Sequence, residues 1–159
     1  MNAKAPTATA PTRAAPDATA DLAGLETWRT QARVYLERLS ALATRLRADD
    51  VDEPLRADAG AIEAFFSETS RRHFAEVERT VLPVLLAGGV AARAEAARKL
   101  KQDHGWLEQN WLELAPQLRA VAEGNHWIDP AEFVHDVEVF EELCGEHLAL
   151  EASLAGPTP

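Results

Sequence analysis

Three histidines in this chain are each followed, one helical turn on, by a carboxylate: His73 by Glu76, His104 by Glu108, and His147 by Glu151. Residues three or four apart lie on one face of a helix, so each pair can present an imidazole and a carboxylate to a single point. Imidazole nitrogen with carboxylate oxygen suits iron, manganese or zinc. Three such pairs on neighbouring helices would make a metal site, with one or two ions. A buried imidazole or carboxylate costs free energy unless it is paired, and a cation between them would satisfy all of them together. Against this stands the plainer reading of each turn as a core histidine bonded to a neighbouring acid. For one turn alone the plainer reading is favoured, but three of the five histidines fall on the pattern.

The elements that must carry these groups are legible as apolar stripes. Leu25, Trp28, Ala32, Tyr35, Leu39, Leu42 and Leu46 alternate three- and four-residue steps, which predicts a long helix ending near Asp49-Asp50. The Glu53-Pro54 step breaks the pattern. A second stripe follows through Ile62, Phe66, Thr69, His73, Val77 and Thr80, closing near Pro83 to Leu86 with Gly88-Gly89 as its stop. The third runs from about Ala91 through Leu100, His104, Leu107, Trp111 and Leu114, and Pro116 is expected to kink or end it. Asp129-Pro130 with Glu132 starts the fourth, which carries Phe133, Val137, Phe140, Cys144, His147 and Glu151. Nothing reads as a strand. Four amphipathic helices with short connections predict an all-α, antiparallel up-down four-helix bundle over residues 21–156. Residues 1–20, with Pro6, Pro11 and Pro16 among alanines and threonines, read as a disordered tail.

Length and composition narrow the function classes. A chain of 159 residues fits one domain with a substantial core. Its formal net charge of −10 repels phosphate backbones and anionic head groups, so neither nucleic acid nor a membrane surface is an expected partner. No stretch reaches the roughly 20 consecutive apolar residues of a membrane span. The N-terminus lacks the apolar core of a secretory signal. One cysteine, Cys144, cannot form an internal disulfide, and a cytoplasmic setting is the simplest expectation.

The remaining candidates are weaker. His126 falls in the loop between Gly124 and Asp129, and His135 lies about 120° round the helix from His147, so both are expected to be exposed. Cys144, one turn before His147, reads as a small buried residue sooner than a ligand. Trp106, Trp111 and Trp127 read as packing aromatics. No serine–histidine arrangement, hydrolase elbow or phosphate loop is present.

The run from Leu100 to Leu118 containing His104-Gly-Trp-Leu-Glu108, the turn His147-Leu-Ala-Leu-Glu151, and His73-Phe-Ala-Glu76-Val77-Glu78 followed by Val81-Leu82-Pro83 together resemble the bacterial hemerythrin-like cation-binding domains. The resemblance spans most of residues 25–156. It implies a four-helix bundle holding non-haem iron, with roles in binding or sensing dioxygen or nitric oxide, or in iron handling. By position it makes His104 and Glu108 ligands from the third helix, His147 and Glu151 from the fourth, and His73 from the second. The chain departs from the family at several points. The glutamate expected four residues after His73 is Val77, leaving Glu76 or Glu78 to replace it. The first helix has no histidine, and Glu26 falls nearest its place. Ala152 stands for the second glutamate of the last helix. A degenerate bundle without metal, serving a structural or interaction role, is the alternative.

Overall fold

Periodicity of the four stripes leads to four helical rods in this computed structural model, which describes residues 18–125 and 127–155, with side chains from Gly24 onward. The expectations for residues 1–17 and for His126 lie outside the described residues. The first rod is α1 (Ala18–Arg47). The second is continuous from Glu53 to Ala87, but it changes winding twice. It comprises α2 (Glu53–Ala64), a π-helical turn (Phe65–Ser70), α3 (Arg71–Glu76), a second π-helical turn (Val77–Val81) and α4 (Leu82–Ala87). The third and fourth rods are α5 (Ala91–Glu123) and α6 (Pro130–Leu154). No strand occurs among the described residues. No described helix is long and apolar enough to cross a membrane.

Caps set several of the boundaries. Asp52 accepts from the Leu55 amide at 2.9 Å ahead of Pro54, and Asp129 accepts from the Ala131 amide at 2.8 Å ahead of Pro130. Gly124 closes α5 at φ 75°, a left-handed conformation that a Cβ would strain. Pro116 does not end α5, which continues to Glu123. The carbonyl it leaves without an amide partner belongs to Leu112, which is 70 % exposed, so water can take the lost bond.

Cross-helix pairs fix an antiparallel arrangement. Trp28 meets Ser70, Tyr35 stacks on Phe65 and Arg38 pairs with Asp58, so α1 ascends as the second rod descends. Phe74 meets His104, Trp111 meets Ser67 and Arg119 meets Glu63 between the second rod and α5. His104 meets His147 and Gln117 meets Asp136 between α5 and α6. With α1 also packed on α6, the ring of four closes.

The core has two apolar parts. The larger one runs from Leu46, Leu55 and Val121 up to Trp28, Phe74 and Leu107. The smaller one, at the other end, is Leu25, Val77, Leu82, Ala97 and Leu100. Along each of the last three rods the histidine falls where these two clusters meet. Through the middle of the second rod Ile62, Phe66, Ser70 and Phe74 are buried at four-residue steps, with Phe65 beside them, whereas α periodicity predicts Thr69 and His73. The wider π turns lengthen the period, which explains the shift. Trp106 and Trp127 are 55 % and 64 % exposed, so of the three tryptophans expected to pack, Trp111 alone is buried. Trp106 is two residues from His104, about 200° round α5, and faces solvent.

Candidate metal centre

Each of the last three rods delivers one histidine to a single layer. His104 and His147 are 2 % and 0 % exposed, with ring centroids 5.0 Å apart. His73 enters from α3, and its Nε2 donates to Glu151 Oε1 of α6 at 2.7 Å. Aromatic rings enclose the layer. Trp28 of α1 stacks on His73 at 4.0 Å, and Phe74 stacks on His104 at 4.4 Å. Both also meet His147 edge-on. Such pairs restrict ring rotation as well as adding about 0.5–1.5 kcal/mol each.

The carboxylate partners differ from those that spacing within one helix suggests. Glu78, not Glu108, accepts from His104 Nδ1, at 2.9 Å. Glu108 is half exposed, with Oε1 4.0 Å from Arg71 Nε. It sits about 40° round α5 from His104, enough to place it at the solvent margin of the stripe. Glu76 binds Arg79 instead of reaching His73. Glu26 is 62 % exposed and bonded to Arg29, because Trp28 occupies the face that α1 turns to the layer. Only the third turn keeps its own carboxylate nearby, with His147 Nε2 3.6 Å from Glu151 Oε1. The structure therefore brings His73, His104, His147, Glu151 and Glu78 together and leaves Glu108, Glu76 and Glu26 on other partners.

Asp103 joins the layer without a signal in the sequence. Its Oδ2 lies 3.9 Å from His147 Nδ1, while Lys99 holds Oδ1 at 3.0 Å. The two residues are 44 apart in the chain, and only the α5–α6 register makes them neighbours. His135 is exposed, as expected, and Cys144 is buried one turn below His147.

Electrostatics assign the protons. A carboxylate can only accept, so the bond to Glu78 places the His104 proton on Nδ1 and leaves the Nε2 lone pair facing the layer. Burial lowers the His104 pKa to about 4, against the opposing pull of Glu78, so the ring is neutral at pH 7. Burial would raise the Glu151 carboxyl, but His147 and His73 outweigh it and hold the pKa down at about 2. Burial, reinforced by Glu151, pushes the Cys144 thiol up to about 12, which keeps it protonated and a poor nucleophile.

Four buried atoms in this layer have no hydrogen-bond partner: His104 Nε2, His147 Nδ1, His147 Nε2 and Glu151 Oε2. Each such atom costs about 1–3 kcal/mol when left unsatisfied. They are also the donor types that first-row metal ions take, and Glu78 stands to His104 as an outer carboxylate stands to a ligating imidazole. These residues fit a metal by donor chemistry. As the side chains stand, no three His, Cys, Asp or Glu among the described residues surround a common point that could hold an ion.

An all-α bundle with a histidine–carboxylate layer in its core defines a class, the cation-binding four-helix bundles. Within that class, residues 23–158 match the Hemerythrin HHE cation binding domain, and the chain belongs to this family. Neither a curated protein nor a solved structure matches the chain.

Proposed function

We propose that this protein holds non-haem iron in its histidine layer, as one or two ions, and uses it to bind or sense dioxygen or nitric oxide or to handle iron. The observation that carries the reading is the set of four buried atoms without partners on His104, His147 and Glu151. His104 would bind through Nε2, His147 through a ring nitrogen and Glu151 through Oε2. His73 holds the other oxygen of Glu151, and Glu78 orients His104. A bound iron supplies redox chemistry and a coordination position for a diatomic ligand. The surrounding rings of Trp28 and Phe74 keep bulk water from the imidazoles.

Anaerobic reconstitution with ferrous iron tests this directly. We expect about one or more irons per chain after desalting, and well under one would overturn the reading. His104→Ala and His147→Ala should each lose the metal while keeping their helicity. Glu108→Ala, half exposed and bonded elsewhere, should retain it; loss there would return Glu108 to the ligand set.

A second reading is favoured by one observation: His73 and Glu151 already satisfy each other at 2.7 Å, and α1 contributes Trp28 where a ligand would enter. The layer is then a buried polar network in a structural or interaction bundle without metal. Melting with and without a chelator separates the two, since a ligand bound only to the folded state raises the melting temperature by mass action. The metal reading expects a drop of several degrees on chelation, and an unchanged melt supports the second.

A further inference from the structure

A cavity of about 310 Å³ lies between the second rod and α5, beside the histidine layer but separate from it. Five aromatic side chains line it, Trp28, Phe66, Phe74, Trp111 and Phe140, with Cys144 on the α6 side. Trp28 and Phe74 are two-sided, facing the cavity as well as stacking on His73 and His104.

From this lining we propose that the cavity is a binding site for a neutral two-ring aromatic molecule. Size comes first. A dry apolar cavity of about 150 Å³ accepts benzene, so twice that volume matches two fused rings. Charge comes second. The rim carries Glu63, Arg119, Arg71 and Glu108, two of each sign, so it favours neither an acid nor an amine. Its polar groups also engage each other. Trp111 Nε1 donates to Ser67 at 2.9 Å, Ser67 donates to Glu63 at 2.7 Å, and Arg119 donates to the same carboxylate at 2.7 Å. A charged head group would have to break this chain or enter an apolar interior, at a desolvation cost that a neutral ring avoids. The proposal does not depend on the metal reading, and its test is run in chelator.

Indole is the probe. Calorimetric titration of the full chain should give saturable binding with a dissociation constant below about 1 mM. Indole-3-acetate and tryptamine should bind at least about fivefold more weakly, and equal or tighter binding of either overturns the assignment to a neutral ligand. Ala115 is buried and lines the cavity, so Ala115→Phe places a ring inside it and should weaken indole at least about tenfold. No saturable binding, or binding that a folded Ala115→Phe variant leaves unchanged, overturns the site.

Discussion

Glu151→Ala is expected to lower the melting temperature of the metal-free protein by about 10 °C. The carboxylate is 1 % exposed, holds His73 at 2.7 Å and lies 3.6 Å from His147. Breaking a buried pair by deleting one member costs about 3–5 kcal/mol, since the remaining group stays buried without its partner. For a domain of this size each kcal/mol shifts the melt by about 2–4 °C. Glu151→Gln keeps an acceptor for His73 and removes the charge, so it should recover part of the loss. Both variants should fail to retain iron, because Oε2 is one of the four atoms available to a metal. Glu108→Ala serves as the control, with a change of about 0.5 kcal/mol or less, as for other surface substitutions. If Glu151→Ala melts within about 2 °C of the parent, the histidine layer is not the polar keystone of the bundle.

Acid should destabilise the metal-free protein in two stages. The His104 pKa falls from an ordinary 6.5 to about 4 on folding, chiefly through burial. The unfolded chain therefore takes up a proton near pH 6.5 that the folded chain refuses until about pH 4. Stability is full above 6.5 and declines as pH drops through that window, by about 3 kcal/mol at 1.36 kcal/mol per unit. Glu151 acts in the next window. Its carboxyl, held at about 2 against an ordinary 4.5, contributes stability above 4.5 that disappears as pH falls towards 2. Chemical denaturation at fixed pH values from 7 to 3, in chelator, measures both. His104→Leu should flatten the slope between pH 6.5 and 4 and leave the lower stage in place. A parent protein whose stability is level across the upper window would contradict the burial assigned to His104.

How far the chain alone led is clearest on its second rod. Ile62, Phe66 and Val77 were legible as buried positions, because any helix repeats near 3.6 residues. Ser70 and Phe74 were not, because two π turns change the local winding and no residue type in Phe65–Ser70 or Val77–Val81 announces them. Glu78 illustrates the consequence. At α periodicity it lies about 140° from His73, facing away, and yet it reaches His104.

Composition and periodicity by themselves determined an all-α bundle, four rods, their antiparallel order and the burial of His104 and His147 in the core. These depend on local winding and short connections, which each segment encodes within a few turns. Tertiary structure alone decided which carboxylate serves which histidine. His73 takes Glu151 from 78 residues away, His104 takes Glu78, and Glu108 is left at the rim of a cavity. Those choices depend on the axial register between rods and on which rings fill the space between them. Both are set by packing over the whole bundle, and no single helix carries them.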